Sequence, residues 1–242
     1  MKTKKLDIVV PLKERNYNEE LRYMLRSIAK NLPHRKVFLA GYKPDWVKNV
    51  ELIESTVPDG LKYSKSLANT KAACLDERVS DDFILFNDDF FVCKPITEIN
   101  PVHRGSLKHF HSIYAKLNHR YRNYRDGIGR VRGILEIMGI DDKEAVSYEL
   151  HMPMIFNKQK RLEAYDIQDK WPAGDLALHT NTLYGNLNRI GGVKTKDVKI
   201  NALNVEPDHD AVFVSSGDKT FKRGLVGRYI REMFPNKCKY EK

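Results

Sequence analysis

Cysteine is scarce in this chain of 242 residues, and no long hydrophobic run occurs in it. The three cysteines, Cys74, Cys93 and Cys238, are far apart and lack the spacing of zinc ligands, which argues against a disulfide scaffold and a zinc site. The first apolar run stops at Pro11, which is too short for a signal peptide or a membrane span. These absences predict a soluble cytoplasmic protein without a membrane span.

Glycine-rich phosphate-binding motifs are missing as well. The chain contains neither the G-x-G-x-x-G fingerprint of dinucleotide-binding folds nor a P-loop, which disfavours a dehydrogenase and a P-loop kinase. Internal repeats and low-complexity segments are also absent. The length fits a single large α/β domain that can bury its own core.

Acidic residues are fewer than basic residues, and the excess of basic residues is unevenly distributed along the chain. The chain has 42 Lys and Arg against 32 Asp and Glu, a net charge of +10. Residues 103–133 contain eight of these basic residues and one acid, Asp126, with four Phe and Tyr residues set among them. This basic segment predicts an anionic partner such as nucleic acid, nucleotide phosphates or an acidic glycan. A solvated helix face is the plainer alternative.

Hydrophobic periodicity predicts alternating strands and helices in the first ninety residues. The predicted strands are 6–11, 36–40, 50–55 and 82–86, and the predicted helices are 19–31, with Asn18 as N-cap, and 66–77. The last strand is continuously apolar, as in a sheet that is covered on both faces. The pattern therefore predicts a doubly wound α/β sheet. Farther along, 127–129 and 184–186 resemble polar loops, and 225–234 a short helix.

Polar residues follow two of these predicted strands. Ligands of such sheets bind beyond the carboxyl ends of the strands, where residues 13–16 and Asn87-Asp88-Asp89 are expected. Two adjacent carboxylates repel each other, so a cleft that holds them normally holds a cation, and oxygen ligands favour Mg²⁺ or Mn²⁺. A polar turn is the alternative, because Asn and Asp also form turns.

Several motifs resemble a known family. They are Glu20-Leu-Arg22-Tyr-Met-Leu-Arg26-Ser27-Ile28, Asn31-Leu-Pro33, Asn87-Asp88-Asp89-Phe90-Phe91 with Lys94-Pro95, Glu149-Leu-His151-Met-Pro153, and Phe213-Val-Ser215-Ser216-Gly-Asp218-Lys219. Together they resemble nucleotide-sugar transferases of GT-A fold, and more narrowly the Stealth group of capsular polysaccharide sugar-phosphate transferases and its short glycosyltransferase-like relatives. The resemblance implies a GT-A-like, mixed and mainly parallel sheet flanked by helices, with the basic segment as an insertion.

The resemblance also implies roles for individual residues. Asp89 stands where the family has a metal ligand, and Asn87 and Asp88 stand where it contacts the sugar nucleotide, with Asp88 also a catalytic candidate. Asn69 resembles the family's nucleotide-contacting Asn, and Pro11 ends the strand that opens the domain. The Stealth group continues that strand with Trp-Val-Asp, which is missing here, and this departure favours ordinary glycosyl transfer.

Chemistry suggests further candidates. Basic side chains near the strand ends would stabilise a nucleoside-diphosphate leaving group, and the candidates are Lys13, Arg15, Arg22 and Lys65. An acceptor hydroxyl needs a base if the reaction inverts configuration, and for this role Glu149 and His151, two residues apart, would share one face of a strand. His209, between two aspartates, is a second metal-ligand candidate. For each of these residues a purely structural role is the alternative.

The predicted function is metal-dependent transfer of a sugar from a nucleotide sugar to an acceptor hydroxyl. The basic segment makes a hydroxymethylated base in DNA one candidate acceptor. The acceptor-binding candidates are Lys116, Arg120, Arg122, Arg125, Arg130, Tyr184 and Arg189. The competing acceptors are a capsule or cell-wall glycan, a lipid-linked sugar and a protein. The alternative functions are sugar-phosphate transfer and a non-enzymatic nucleic-acid-binding protein. The expected organisation is one domain with a donor half at 1–100, the basic insertion at 101–135 and an acceptor half at 136–242.

Overall fold

A computed structural model describes residues 5–15, 17–56 and 64–242, and in these ranges ten strands form three sheets. The strands are β1 (Asp7–Pro11), β2 (Val37–Ala40), β3 (Glu51–Ile53), β4 (Asp82–Leu85), β5 (Phe90–Val92), β6 (Val102–His103), β7 (Met154–Asn157), β8 (Val193–Lys194), β9 (Lys199–Ile200) and β10 (Phe213–Ser216). The main sheet has the order β3-β2-β1-β4-β7, in which β7 runs antiparallel to β4 and the other pairs are parallel. The smaller sheets are β5-β10-β9 and β6-β8.

The described ranges contain eight helices, some of which cover the two faces of the main sheet. They are α1 (Glu19–Asn31), α2 (Ser64–Leu75), α3 (Leu107–Ala115), α4 (Arg122–Ile137), α5 (Lys158–Asp169), α6 (Thr180–Leu187), α7 (Asp218–Arg223) and α8 (Leu225–Met233), with a 3₁₀ turn at His119–Tyr121. The predicted α/β class is therefore confirmed, as a mixed and mainly parallel five-stranded sheet flanked by helices. Within the described ranges, no helix combines the length and the apolar character that a membrane span requires.

Alternation along the strands distributes the core between the two faces of the sheet. Ile8 and Val10 point to the face that α1, α7 and α8 cover, whereas Val9 points to the face covered by α2 and α5. All three side chains are fully buried. Two-sided burial explains why the strands read as continuous apolar runs in the sequence.

The first helix forms as its sequence predicts. The side chain of Asn18 accepts a hydrogen bond from the backbone N–H of Leu21 at 3.0 Å, which confirms Asn18 as the N-cap. Leu21, Met24, Leu25 and Ile28 recur on one face and are completely buried against the sheet. Because this helix begins directly after the loop that follows β1, its cap also fixes the end of that loop.

Two segments predicted as polar loops are helical instead. Residues 127–129 lie inside α4, and residues 184–186 lie inside α6. The glycines that suggested turns serve close packing: a Cβ on Gly127 would collide with the carbonyl oxygen of Ala177, and one on Gly185 with the ring of Tyr148. A glycine in a helix and a glycine in a turn look alike in the sequence, which is why both predictions were wrong.

A buried ion pair fastens α1 to residues that follow α8. Arg26 donates to both carboxylate oxygens of Glu241, at 2.7 and 2.9 Å, and to the backbone carbonyls of Phe234 and Pro235. Arg22 adds a third hydrogen bond to Glu241 at 3.0 Å. The Glu241 side chain is 1% exposed, so its charge depends on these arginines.

Replacing Glu241 by alanine should lower the free energy of unfolding by about 3–5 kcal/mol, because Arg26 would be left buried without a counter-charge. Urea denaturation measures this loss. The matched control is Glu51→Ala, since Glu51 is 42% exposed and pairs with Lys36 across 3.5 Å. That change should cost less than about 1 kcal/mol. Equal losses in the two variants would contradict the interpretation.

Candidate functional site

The loops that follow β1 and β4 meet at the carboxyl edge of the main sheet. β1 has β2 on one side and β4 on the other, so the chain leaves this strand pair in opposite directions and a crevice remains between them. Asn18, at the end of the first loop, donates from Nδ2 to Oδ2 of Asp88, in the second loop, at 2.6 Å. This crevice is the candidate donor cleft.

The donor cleft contains a cluster of acids with few counter-charges. Ser216 donates from Oγ to Oε1 of Glu20 at 2.9 Å, and Glu20 shares a hydrogen bond with Asp218 at the start of α7. Arg15 pairs with Asp218 at 2.9 Å. Residues 15, 18, 20, 88 and 218 thus come together from three separate parts of the chain.

Burial controls the protonation of this cluster. It raises the pKa of Glu20 from its ordinary 4.5 to about 8, and the hydrogen bond with Asp218 and the charge of Asp88 add to the rise. Burial raises the pKa of Asp88 as well, against the hydrogen bond from Asn18, while the neighbouring charge of Asp89 raises it further. Glu20 is therefore mainly protonated at neutral pH and donates to Asp218, which limits the repulsion in the cleft.

Asp89 has a lysine where the sequence predicts a metal ion. Lys199 donates from Nζ to Oδ2 of Asp89 at 3.0 Å, and Oγ of Ser215 lies 3.5 Å from the same oxygen. The parallel pairing of Ser215 with Lys199 brings this lysine beside Asp89. In the described residues, no three His, Cys, Asp or Glu side chains are arranged to hold a metal. Lys199 thus holds one oxygen of Asp89, and a Mn²⁺ or Mg²⁺ site at this residue stays a prediction.

Two other predicted contacts lie away from the donor cleft. His209 packs edge-on against Tyr229, beside the pair formed by Lys94 and Asp210 at 2.7 Å. Lys94 follows β5 whereas Asp89 precedes it, so His209 lies at the other end of that strand from Asp89. Arg22 hydrogen-bonds Glu241 and stacks over Trp46, which gives it a structural role.

The remaining donor-site candidates surround the cleft. Pro11 is the last residue of β1, Lys13 is exposed in the loop after it, and Lys65 lies in the first turn of α2. Arg15 reaches the cleft through Asp218. Residue 16, the last residue of the predicted polar loop 13–16, lies outside the described residues, as does the separate range 57–63.

Asn69 is a buried amide with unused hydrogen-bonding capacity. Its Nδ2 donates to the carbonyl oxygen of Leu12 at 3.1 Å, whereas its buried Oδ1 has no partner among the described residues. Gly41, at φ +103° after β2, allows this packing, because a Cβ there would collide with the amide. A buried acceptor without a partner is costly, and a ligand N–H or O–H could satisfy it.

A histidine oriented by an aspartate lies beside the donor cleft. Oδ2 of Asp197 is 2.8 Å from Nδ1 of His151, and Oδ1 accepts from the backbone N–H of His151 at 3.0 Å. Burial alone would raise the pKa of Asp197, but the hydrogen bonds from His151 outweigh it and lower that pKa. With Nδ1 held by a carboxylate, Nε2 is the nitrogen that can accept a proton.

His151 opens into a small cavity of about 190 Å³, which we call the histidine cavity. Asn87, Glu149 and Asn181 also line it. The prediction that Glu149 and His151 share a strand face is wrong, because residues 147–153 are irregular and β7 begins after them. Glu149 instead accepts from the N–H of Thr182 at 3.0 Å, in the first turn of α6.

Sequence reasoning missed Asp197 and Lys199, which serve the two parts of the site. They lie two residues apart at the start of β9, where one contacts His151 and the other Asp89. Neither belongs to a motif, and nothing in the spacing marked them. Glu20 and Asp218 belong to two of the motifs quoted above, but only the folded structure shows that they contact each other.

The basic segment folds as α3, the 3₁₀ turn and α4, and several of its cations have hydrogen-bond or ion-pair partners. Arg122 and Arg125 pair with Asp126, at 3.5 and 2.7 Å. Arg130 donates to the carbonyl oxygens of Gln168 and Trp171 at the end of α5. Lys116 and Arg120 remain exposed, with no ion pair to a described residue.

The last two acceptor-site candidates, Tyr184 and Arg189, differ in their exposure to solvent. Tyr184 is 4% exposed, and its Oη accepts from the N–H of Asn157 at 3.0 Å. Arg189 is exposed just after α6, with φ +46°. Tyr184 therefore belongs to the core of α6, whereas Arg189 lies on the surface.

Comparisons with known proteins give no relative. No protein-family model matches the chain, and no curated protein matches it. The arrangement of the donor cleft and the histidine cavity is therefore the basis for a functional proposal.

The raised pKa of Glu20 predicts a specific pH dependence. Between pH 4.5 and about 8 the folded protein holds a proton that the unfolded chain releases, so stability falls as the pH rises through this window. Glu20→Gln removes that proton exchange. The variant should gain about 1–3 kcal/mol over the wild type at pH 7.5 and little at pH 4.5.

Urea denaturation at the two pH values tests this, with Glu19→Gln as the matched control. A hydrogen bond from Arg231 lowers the pKa of Glu19, so that variant should lose stability at pH 7.5. The same sign of change in both variants would contradict the assignment.

The Asp89–Lys199 pair predicts competition between the lysine and a divalent cation. Lys199→Ala should bind Mn²⁺ at least about tenfold more tightly than the wild type, because the carboxylate loses its resident counter-charge. Isothermal titration calorimetry with Mn²⁺ measures this, and Lys196→Ala, an exposed lysine nearby, should behave as the wild type. Tight Mn²⁺ binding by the wild type would instead support the metal site predicted from the sequence.

Proposed function

We propose that the protein is a glycosyltransferase that moves a sugar from a nucleotide-sugar donor to an acceptor hydroxyl, on a GT-A-like fold with the basic segment as an insertion. The observation that carries the proposal is the position of Asn87 and Asp88. Asn87 lines the histidine cavity, and Asp88 is bound by the loop after β1. Two consecutive residues thus join a polar cleft at the switch point of the sheet to an oriented base.

The donor is proposed to lie in the cleft between β1 and β4. The unpartnered Oδ1 of Asn69 suits a ribose hydroxyl or a base N–H. The diphosphate needs positive charge, which Lys13, Arg15 and Lys199 can supply near the strand ends. These side chains stabilise the charge that develops on the leaving oxygen, and Asp88 is proposed to contact the sugar.

The acceptor is proposed to approach from the histidine cavity. Its hydroxyl oxygen attacks the anomeric carbon while the bond from that carbon to the diphosphate oxygen breaks. Nε2 of His151 takes the hydroxyl proton, and Asp197 stabilises the imidazolium that forms. Asp197 is therefore a positioning residue, comparable in role to the third member of a catalytic triad.

Sugar-phosphate transfer is the second candidate on the same site, because attack on phosphorus needs the same base and the same cations. Product analysis separates the two reactions: nucleoside monophosphate is released by phosphotransfer, and nucleoside diphosphate by glycosyl transfer. Among acceptors, DNA stays a proposal that depends on Lys116 and Arg120, two exposed cations of the basic segment without an ion pair to a described residue.

Donor binding tests the proposal first. Thermal stabilisation by UDP-, GDP- and CDP-sugars, with and without Mn²⁺, should identify a donor, since a ligand at 100 times its Kd adds about 2.7 kcal/mol. Asp88→Ala should abolish that stabilisation, whereas Asp45→Ala, an exposed acid elsewhere, should keep it. If no nucleotide sugar stabilises the wild type, or if Asp88→Ala responds fully, the proposal is wrong.

The proposed base gives a separate prediction. His151→Ala should lower transfer or donor hydrolysis by about 10²–10⁴-fold while donor stabilisation persists, because the base acts after binding. Asp197→Asn should reduce kcat in the same direction through the misoriented ring. His119→Ala, on the exposed 3₁₀ turn, is the matched control and should keep wild-type rates. Unchanged rates in His151→Ala would exclude this base.

A further inference from the structure

An apolar cavity of about 290 Å³ lies along β7, the edge strand of the main sheet. Apolar side chains dominate its lining, among them Ile99, Val102, Leu150, Met152, Met154 and Ile190. Its volume is roughly twice that of an engineered apolar cavity of about 150 Å³ that binds benzene. We call it the β7 cavity.

The β7 cavity is the neighbour of the histidine cavity. Leu150, Met152 and Met154 line both, so these residues lie at the boundary of the two spaces. Two of the three are methionines, whose unbranched side chains adapt their shape easily. A ligand in the β7 cavity could therefore extend to His151.

Three polar side chains that line the β7 cavity, those of Asn157, Asn188 and Tyr148, already have hydrogen-bond partners in the protein, whereas the ammonium group of Lys160 has none among the described residues. Asn157 donates to Asp82 at 2.9 Å and accepts from the N–H of Lys160 at 3.2 Å. Asn188 donates to the carbonyl oxygen of Tyr184, and Tyr148 to that of Gly191, each at 2.9 Å. A base extruded from DNA would need free hydrogen-bonding groups on its edge, and this lining offers few of them. An apolar group needs none.

We infer that the β7 cavity binds the apolar chain of the acceptor, so that the acceptor is an amphiphile whose hydroxyl reaches His151. This inference rests on the proposed function for the role of His151. The affinity of the cavity for an alkyl chain is independent of it. The substrate class is then an alkyl- or prenyl-bearing alcohol or glycoside, rather than a nucleic acid.

The test uses alkyl glucosides of increasing chain length, below their micelle concentrations, with glucose as the reference. Binding to the full-length protein is measured by calorimetry and should strengthen up to about fourfold per added methylene until the cavity is filled. Ile190→Trp fills the cavity and should weaken octyl glucoside binding at least fivefold. Val193→Trp is the control, because Val193 is 71% exposed and outside the lining.

Each outcome bears on one of the two proposals. Equal octyl glucoside binding by both variants, or none by the wild type, would overturn the apolar subsite even if a nucleotide sugar binds. Octyl glucoside binding that Ile190→Trp weakens, without any donor binding, would keep the subsite and refute glycosyl transfer. A single-stranded oligonucleotide with a hydroxymethylated pyrimidine forms the third arm. If Ile190→Trp weakens its binding as well, the cavity takes a base and the inference fails.

Discussion

The helices that follow β1 and precede β4 lie on opposite faces of the sheet, although the two strands are parallel, and the site depends on this constraint. Parallel strands need crossovers, and placing one crossover on each side of β1 leaves a gap that no helix closes. The loop residues that end β1 and β4 must face each other across this gap, and Asn18 and Asp88 do so directly. The donor cleft and the histidine cavity both adjoin this gap. Asn87 lines the histidine cavity, and Asp88 accepts a hydrogen bond from Asn18 in the donor cleft.

Each carboxylate of the donor cleft has a partner among the described residues. Four carboxylates share the region, and each has a different solution: Glu20 keeps its proton, Asp88 is bound by an amide, Asp89 pairs with a lysine and Asp218 with an arginine. Such an arrangement separates the pKa values of neighbouring acids, which is common at catalytic sites and also occurs in structural networks. Arg15 and Lys199, which pair with Asp218 and Asp89, are the cations that the proposed diphosphate would contact.

Local patterns predicted the regular elements but not their long-range partners. The strands around Val9 and Phe83 and the capped helix after Asn18 follow from periodicity and cap chemistry, and the polar strand ends follow from the sheet type. Lys199 and Asp197 could not be predicted, because they reach the site through a small sheet whose pairing spans more than a hundred residues. The metal assignment of Asp89 came from the family resemblance and that of His209 from residue type, and neither shows that Lys199 contacts the Asp89 carboxylate.

The ion pair between Arg26 and Glu241 joins residues that are 215 positions apart. Closing so long a loop costs conformational entropy, which the contacts that form afterwards must offset. Contacts between residues so far apart in the sequence slow folding. The pair therefore raises the contact order of the chain, because a helix that follows the first strand is held by residues that follow α8.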